Sequence, residues 1–281
     1  MRLQNLYQQA ITTLTTANFI ENHSLEARIL LKHVLNLTDD AIFIQLSNTL
    51  IVTPIQQQQV QQLIKRRLQG EPIAYIVGYK DFWQSRFQVN KNVLIPRADS
   101  ETLIEAMLQE VAQESYIDIL DLGIGSGCLL FSLLQEYPNA RGIGTDVSSD
   151  ALAVAQTNGL MLKIKNYTLL QTNLFIGLTQ KFHVIISNPP YIAFNDNNIA
   201  LETKNFEPVG ALYAKDDGLF FYKEILRQAK SYLYPKGKIF LEIGFNQTDA
   251  LIELLQAYNY SNYKFFKDLA GINRVVAIFL L

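Results

Sequence analysis

The sequence predicts an α/β protein with a mostly parallel sheet, an antiparallel pair of strands at one edge, and a small all-α domain before it. Three observations support this prediction. The first part of the chain carries apolar side chains at helical spacing. Short apolar strands then alternate with amphipathic helices, the order found in a parallel sheet with right-handed crossovers. The last two strands are separated only by "AGI", which favours antiparallel pairing.

The N-terminal region is predicted to form helices. Apolar residues recur at helical spacing between Leu3 and Leu14 and again in "SLEARILLKHVLNL", where Ser24 is a candidate N-cap. In "TPIQQQQVQQLIKRRLQG", Thr53 is a candidate N-cap, Pro54 occupies the first helical position, and a glycine follows the end. The glutamines suggest low complexity, but the apolar positions between them fit one helix face, so we predict a helix.

Changes in composition divide the chain into three parts. Residues 73–97 consist of short aromatic and β-branched segments, among them "AYIVGY", "FWQSRFQVN" and "NVLIP", which favour a hairpin or a linker. We therefore predict a helical domain over 1–72, a hairpin or linker over 73–97, and an α/β domain over 98–281.

Strands and helices alternate through the third part. The predicted strands are "YIDILDLG", "ARGIGTDV", "YTLLQTNLF", "KFHVIISNPPY", "GKIFLEIG", "YKFFKDL" and "NRVVAIFLL". The predicted helices are "ETLIEAMLQEVAQ", "GCLLFSLLQEYP", "SDALAVAQTNGLML", "GLFFYKEILRQAKSYL" and residues 247–258. In an open parallel sheet the loops that follow the strands meet at one edge, so we expect the ligand-binding residues there.

Composition and charge exclude several classes of protein. Apolar residues make up 49% and charged residues 18% of the 281 residues, which is typical of a globular chain with a sizeable core. The formal net charge of −2 does not favour direct binding to nucleic acid. Cys128 is the only cysteine, which rules out an intramolecular disulfide and suggests a reducing compartment. No Cys/His spacing suggests a metal site, no apolar run reaches membrane-spanning length, and we expect a cytoplasmic monomer.

A glycine-rich loop, "DLGIGSGC", follows the first strand of the α/β part and opens a helix. Gly123, Gly125 and Gly127 allow positive φ and the close approach of a ligand to the backbone. A tight strand–helix turn is the simpler interpretation, but three glycines in five residues favour a ligand site. The spacing lacks the third glycine of a dinucleotide site and the lysine of a phosphate loop.

Asp146 ends the second strand of this part, in "GTD". An acid there can accept hydrogen bonds from both ribose hydroxyls, although it could also cap the following helix. Beside the glycine loop we favour the ribose. Since nothing indicates a pyrophosphate site, the expected ligand is a nucleoside without one. S-adenosylmethionine meets that description, and Asp121 would then lie near its ammonium group.

The segment "SNPPYIAF", residues 187–194, follows the fourth strand, at the same edge of the sheet as the glycine loop. Its two prolines end the strand and remove two backbone donors. The side-chain carbonyl of Asn188 and the backbone carbonyl of Pro189 could accept both hydrogens of a planar –NH₂ group and aim its lone pair at a methyl sulfonium. Pro190 would stiffen the turn, and Tyr191 would pack on the planar group. Such catalysis needs no strong base; the competing interpretation is a simple strand-terminating turn.

On these motifs the sequence resembles the class I S-adenosylmethionine-dependent methyltransferases. More closely, it resembles the HemK-type family, which methylates the glutamine of the Gly-Gly-Gln motif in peptide chain release factors. The resemblance spans nearly the whole chain and includes "RRLQGEPIAYIVGYKDFW", "VLIPRADSE", "ILDLGIGSGC", "GTDVS", "ISNPPYI", "NFEPVGAL", "DGLFFYKEI" and "LEIG". It implies a Rossmann-like methyltransferase domain, S-adenosylmethionine as cofactor without a metal, and a helical domain that recognises the release factor.

The resemblance also implies roles for individual residues. Asn188 would contact cofactor and substrate, and the turn that ends at Tyr191 would hold the glutamine amide. Arg97 and Glu101 would brace the pocket floor beside the substrate. Ala98 departs from the family, which often has proline there; Asn173 and Leu174 replace an Asp and an aromatic residue that commonly lie near the adenine. The expected cofactor-binding residues are Asp121, Gly123, Ile124, Gly125, Ser126, Gly127, Asp146, Asn173, Leu174 and Asn188.

Other functions stay open. An NPPY turn also permits methylation of adenine or cytosine amino groups in nucleic acid, but binding through several phosphates needs more clustered basic residues than Lys65, Arg66 and Arg67. Such a short cluster is usually a solvated helix face. A cofactor-binding scaffold without activity is a non-enzyme alternative, and the intact NPPY turn argues against it. A dehydrogenase is disfavoured because the third dinucleotide glycine is missing.

Overall fold

The first of two compact units in the computed structural model is helical, as predicted. The structure describes residues 1–196 and 198–281; the first unit comprises Met1–Gly78 and Ala200–Phe206, and the second comprises Tyr79–Ile199 and Glu207–Leu281. The helices before Gly78 are α1 (Leu3–Leu14), α2 (His23–Leu35), α3 (Asp39–Ser47), α4 (Pro54–Leu68) and α5 (Ile73–Val77). Fully buried leucines and alanines of α1 and α2 pack with valine and isoleucine of α4.

Local signals explain where these helices begin. At α4, Thr53 and Gln56 form a capping box, and Pro54 occupies the first helical position, so the glutamine-rich segment is a regular helix as predicted. The prediction of Ser24 as an N-cap is wrong. α2 begins two residues earlier than a Ser24 cap would imply, because the side chain of Asn22 accepts the backbone N–H of Leu25 at 3.0 Å. Asn is as good an N-cap as Ser, so residue preference alone could not separate the two.

The segment "AYIV" differs from its expected extended conformation. It lies in α5, which ends at Gly78 with a φ of +82°. The first compact unit therefore continues beyond residue 72, where the sequence analysis placed its boundary. The predicted hairpin begins only after this helix, with β1 (Tyr79–Phe82) paired antiparallel to β2 (Ser85–Gln88).

The second unit alternates helices and strands. After the hairpin and a 3₁₀ turn at Ala98–Ser100 come α6 (Glu101–Glu110), β3 (Asp118–Leu122), α7 (Cys128–Glu136), β4 (Arg141–Asp146), α8 (Ser149–Met161), β5 (Tyr167–Gln171), β6 (Phe182–Ser187) and β7 (Ile192–Ala193). The chain continues with α9 (Leu201–Phe206), which belongs to the first unit, and then α10 (Val209–Leu212), β8 (Tyr213–Ala214), α11 (Phe220–Ala229), a 3₁₀ turn at Lys230–Tyr232, β9 (Leu233–Glu242), α12 (Thr248–Ala257), β10 (Tyr263–Lys267) and β11 (Asn273–Phe279).

The main sheet has seven strands in the order β10-β11-β9-β6-β3-β4-β5. β9, β6, β3, β4 and β5 are parallel, whereas β11 is antiparallel to both of its neighbours, which confirms the predicted antiparallel edge pair. In one apolar cluster α6 and α7 pack on one face of the sheet, and in another α11 and α12 pack on the opposite face. The central strands are buried on both faces and are correspondingly rich in Ile, Leu and Val.

This topology places the loops after β3, β4, β6 and β9 at one edge of the sheet. The glycine loop follows β3, Asp146 ends β4, and the Asn-Pro-Pro-Tyr turn follows β6. The strand order reverses beside β3, since β4 and β5 lie on one side of it and β6 and β9, which come later in the chain, lie on the other. Ligands bind at such a switch point in open α/β sheets. Among the described residues, no helix is long and apolar enough to cross a membrane.

Candidate active site

A cleft at the carboxyl edge of the second unit brings together most of the predicted site residues. Its lining includes residues 123–126 of the glycine loop after β3, Asp146, Thr172–Leu174, and the first three residues of the Asn188–Tyr191 turn. Arg97 and Ser100 line it from the segment before α6. Residues far apart in sequence therefore converge on one cavity, as expected for the switch point of the sheet.

The glycine loop leaves room for a ligand against its backbone. Gly123 and Gly125 have φ values of +76° and +55°, and a Cβ added at Gly123 would meet nothing within 4 Å. The loop is anchored from behind, because Thr145 O accepts the backbone N–H groups of Gly123 and Ile124 at 2.8 and 2.9 Å. On its other side Ser126 O accepts a hydrogen bond from the buried side chain of Asn158 at 2.8 Å. The result is a fixed cradle whose open side faces the cleft.

Asp146 is bound to this loop through its carboxylate. One oxygen accepts the N–H of Gly125 at 3.0 Å, and the other accepts the N–H of Ser148 at 2.9 Å. Each carboxylate oxygen has capacity for a further hydrogen bond, so the half-buried Asp146 can still accept ligand hydroxyls. The helix after it, α8, is capped by Ser148 rather than by Asp146, which leaves the competing capping role to another residue.

Asp121 lies buried beneath the loop. It is 1% exposed, and neither carboxylate oxygen has a hydrogen-bond partner among the described residues. Burial, with a smaller contribution from the nearby charge of Asp146, raises the pKa of Asp121 to about 8. A buried carboxyl without partners suits a cationic ligand group, which would supply the missing charge.

The Asn-Pro-Pro-Tyr turn is held at both ends. The side-chain amide of Asn188 donates through Nδ2 to Oγ of Ser100 at 3.2 Å. The hydroxyl of Tyr191 donates to Oε1 of Glu242, at the end of β9, also at 3.2 Å. The backbone carbonyl of Tyr191 accepts a hydrogen bond from Nε2 of Gln247 at 3.0 Å. No residue of the turn from Asn188 to Pro190 is exposed, and all three line the cleft.

Arg97 braces the cleft, although against a residue that the sequence analysis did not single out. Its guanidinium forms an ion pair with Glu207 and donates to Ile95 O at 3.1 Å. Glu207 is 5% exposed, and its second oxygen accepts the N–H of Ile95 at 3.0 Å. The segment before α6 and the segment after residue 206 are thereby joined at the cleft wall.

Four residues predicted for the site are not part of the cleft lining: Asp121, Gly127, Glu101 and Tyr191. Glu101 accepts the backbone N–H of Trp83 at 2.7 Å, and so fixes the hairpin turn rather than facing the cleft. The ring of Tyr191 is partly buried, with its hydroxyl directed to Glu242. The substrate roles of Glu101 and Tyr191 stay predictions, and these positions favour a supporting role for both.

The cleft offers no strong base or nucleophile. Among the described lining residues there is no His, Lys, Glu or Tyr. Burial raises the pKa of the Cys128 thiol to about 12, so it is not a thiolate near neutral pH. No group of three or more His, Cys, Asp or Glu among the described residues is arranged to hold a metal ion. The chemistry supported here is orientation of a weak nucleophile by fixed acceptors.

Sequence reasoning missed three polar residues that support the cleft: Ser100, Glu207 and Glu242. All three are at least nine-tenths buried. Each belongs to a segment that the resemblance already contained, namely "VLIPRADSE", "NFEPVGAL" and "LEIG". The available signal was an acid or hydroxyl inside an otherwise apolar segment, which is costly to bury without a reason.

Two protein families match this chain. The PrmC N-terminal domain matches residues 5–78, and the methyltransferase small domain matches residues 98–209. The first match coincides with the helices of the first compact unit, and the second contains the glycine loop and the Asn-Pro-Pro-Tyr turn.

Curated relatives match over most of the chain. A release factor glutamine methyltransferase of Buchnera aphidicola is 39% identical, and the match covers 91% of this chain and 92% of that protein. A bifunctional methyltransferase of Rickettsia felis is 41% identical over 92% of this chain. The chain spans about half the length (54%) of that bifunctional relative.

Solved structures share the fold at low identity. The hMettl16 catalytic domain in complex with a MAT2A 3′UTR hairpin superposes with a TM-score of 0.55 at 16% identity, covering 68% of this chain and 73% of that one. At this identity the similarity concerns the fold alone.

Proposed function

The chain belongs to the release factor glutamine methyltransferase family, and from this premise we propose that it transfers a methyl group from S-adenosylmethionine to the side-chain amide nitrogen of the glutamine in the Gly-Gly-Gln motif of a peptide chain release factor. The products would be the methylated release factor and S-adenosylhomocysteine. The proposed setting is the cytoplasm, where the modification would modulate translation termination. One observation carries the proposal: Asn188 and Pro189 line the same cleft as the glycine cradle.

The residues present fit S-adenosylmethionine. When bound, this cofactor supplies a methyl group on a positively charged sulfur. The open backbone at Gly123 and Gly125 would accommodate it closely, and the carboxylate of Asp146 would accept ribose hydroxyls. The partnerless carboxyl of Asp121 would face its ammonium group. Asn173 and Leu174 line the cleft and are proposed to contact the adenine.

The turn after β6 would orient the glutamine amide. An amide nitrogen is a poor nucleophile because its lone pair is delocalised into the carbonyl. Asn188 Oδ1 and the Pro189 carbonyl are two acceptors that would hold both N–H groups and fix the direction of the lone pair. The prolines cannot donate hydrogen bonds, so this part of the turn offers acceptors only.

The proposed substrate is a protein rather than a nucleic acid. In the first unit, Arg66 pairs with Glu71, and Arg67 is 3% exposed and pairs with Glu26 and Glu202. Lys65 is left as the one exposed member of the basic cluster considered in the sequence analysis. Phosphate binding would therefore have to break existing ion pairs, which argues against nucleic acid. The helical unit, as a match to the PrmC N-terminal domain, is proposed to recognise the release factor body.

Methyl transfer from labelled S-adenosylmethionine tests this function. The purified chain is offered a release factor with its Gly-Gly-Gln glutamine intact, the same factor with that glutamine replaced by alanine, and total RNA and DNA. The proposal predicts label on the intact release factor alone. Label on nucleic acid would replace the proposal with the amino-methyltransferase alternative. If the chain binds the cofactor but labels none of them, the proposed fold stands and the proposed substrate is wrong.

A further inference from the structure

We propose that Ser100 and Glu242 are positioning residues: together they fix the side-chain amide of Asn188 with its oxygen facing the cleft, and Glu242 also holds the other end of the turn at Tyr191. This inference rests on the proposed function, since it explains how the acceptor geometry needed for glutamine methylation is set. Neither residue was singled out by the sequence analysis, and neither side chain would touch the glutamine itself.

The amide of Asn188 can be inserted in two orientations, and only one of them is productive. With Oδ1 toward the cleft, it accepts an N–H of the incoming glutamine amide. With Nδ2 toward the cleft, two N–H groups would oppose each other and the nucleophile would be repelled. In the structure Nδ2 donates to Oγ of Ser100 at 3.2 Å, which is the orientation that leaves Oδ1 free to accept from the glutamine.

Ser100 alone cannot impose this orientation, because a hydroxyl both donates and accepts. It acts as a fixed acceptor only if its own hydrogen is taken elsewhere. Glu242 is the group placed to take it: the Ser100 side chain lies close enough to lower the pKa of this carboxyl, and we propose that its hydroxyl donates to the unpartnered Oε2, which lies beyond hydrogen-bond distance in this structure. When Glu242 is ionised it is a pure acceptor, so a Ser100 hydroxyl that donates to it can only accept from Asn188.

Glu242 also binds the far end of the same turn. Its Oε1 accepts the Tyr191 hydroxyl at 3.2 Å, while Oε2 has no partner within hydrogen-bond distance among the described residues. Glu242 is 1% exposed, and Ser100 is 2% exposed. A single buried carboxyl at the end of β9 thus binds Tyr191 directly and would hold Asn188 through Ser100. A buried acid with an unused oxygen destabilises the fold, and a packing role alone would be filled better by an apolar residue.

Replacing Ser100 by alanine tests the first link, with Ser132→Ala as the matched control. Ser132 is also a fully buried serine, but its hydroxyl has no hydrogen-bond partner among the described residues. We expect Ser100→Ala to lower kcat about tenfold or more on release factor, because the amide of Asn188 is then free to turn. The KM for S-adenosylmethionine and the melting temperature should stay close to those of Ser132→Ala. If the two variants have equal kcat, Ser100 has no positioning role.

The pH profile tests the second link. Burial raises the pKa of Glu242 to about 7, and the charged or titratable groups that face it are Arg274, Asp99, Tyr191, Tyr222 and Cys128. Below that pH the neutral carboxyl can donate as well as accept, and the order of donors is no longer fixed. We expect kcat at saturating cofactor to rise with pH through about 7 in the unaltered enzyme. In Glu242→Gln this rise should be lost and kcat should be low throughout. An unchanged profile in Glu242→Gln would overturn the inference.

These outcomes are separable from failure of the proposed function. If the unaltered chain does not methylate release factor, the function is wrong and the variants have no activity to compare. If it does, and Ser100→Ala and Glu242→Gln both match the Ser132→Ala control in kcat and in pH profile, the function stands and the positioning role is wrong.

Discussion

At the scale of single residues, Asp121 gives the clearest link between burial and ligand binding. Its carboxyl has a pKa raised to about 8, so it is mostly neutral in the ligand-free protein at pH 7. A cationic group placed against it favours the ionised form, and binding of that group must then release a proton. If Asp121 faces the ammonium group of the cofactor, as proposed, cofactor affinity is coupled to pH through this carboxyl.

We predict that affinity for S-adenosylhomocysteine, which carries the same ammonium group, increases with pH between about pH 6 and pH 7.5, by up to about tenfold per unit. The sign follows because the raised pKa means that a proton must leave, and it leaves more easily at higher pH. Asp121→Asn should bind more weakly and lose this slope. Calorimetry in buffers of different ionisation enthalpy measures both the affinity and the proton released. A slope that persists in Asp121→Asn would assign the proton to another group.

We predict that Asn188→Ala lowers kcat, because the transition state loses on the order of 2–4 kcal/mol of stabilisation, as for the loss of one preorganised polar partner. The fold should be retained, because Asn188 makes one long hydrogen bond and is only partly buried. Steady-state methylation of release factor and thermal unfolding measure the two quantities. A variant that methylates at the normal rate would refute the proposed role of Asn188.

Residues of the site differ in how far the sequence could predict them. The glycine loop and Asn188 are local motifs whose chemistry is visible in a few adjacent letters. Ser100 and Glu242 acquire their meaning only through contacts with residues far away along the chain, such as Tyr191. Burial decides their importance, and burial depends on the tertiary fold rather than on neighbouring residues.

At the scale of elements, the glycine loop shows that similar backbone angles can have different causes. Gly127 has a φ of +82°, and an added Cβ would lie 2.3 Å from the ring of Phe131, a fully buried residue of α7. Gly123 has a φ of +76°, but an added Cβ there would meet nothing within 4 Å. Gly127 is therefore required by packing, whereas Gly123 leaves open space beside the cleft.

We predict that Gly127→Ala and Gly123→Ala separate folding from binding. Gly127→Ala should lower the free energy of unfolding by about 3 kcal/mol, since a strained φ and a clash with a core ring add together. Gly123→Ala should cost about 1–2 kcal/mol, the strain of the backbone alone, but should weaken cofactor binding at least tenfold. Chemical denaturation and equilibrium binding measure the two effects. Equal losses of stability in both variants would contradict this division.

The elements themselves were largely predictable, because the hydrophobic periodicity and the capping and turn residues agree with the tertiary fold along most of the chain. The main exception is α5. Its residues "IAYIV" favour a strand by composition, yet they form one helical turn closed by Gly78. Three of the five are buried, so packing within the helical unit overrides the weak local preference.

At the scale of the whole molecule, the helical unit is assembled from two distant parts of the chain. Arg67 joins them: it is 3% exposed, binds Glu26 of α2 at 2.7 Å, and binds Glu202 of α9 at 2.9 Å. The ring of Phe206 lies 3.5 Å from the position of an added Cβ at Gly70. Sequence patterns placed a boundary at residue 72, whereas the first segment of this compact unit ends at Gly78, and they gave no sign that α9 belongs to it.

We predict that Arg67→Ala lowers the free energy of unfolding by about 3 kcal/mol, because it leaves the carboxylates of Glu26 and Glu202 without their cation. Amide exchange in residues 201–206 should increase. Arg66→Ala is the matched control, since Arg66 is more exposed, and its pair with Glu71 should be worth less than about 1 kcal/mol. Hydrogen-exchange mass spectrometry reports both variants. If exchange in residues 201–206 rises equally in the two, Arg67 does not hold α9.

The two-part helical unit also restricts how this protein can be recombined. The backbone passes between the two compact units three times, after residues 78, 199 and 206. A hybrid gene that exchanges only the first 78 codons with a relative would pair new helices with the old α9, so any change at position 67 would then oppose the original Glu202. Viable chimeras should therefore require both segments from the same parent, so that substitutions at Arg67 and in residues 200–206 are inherited together.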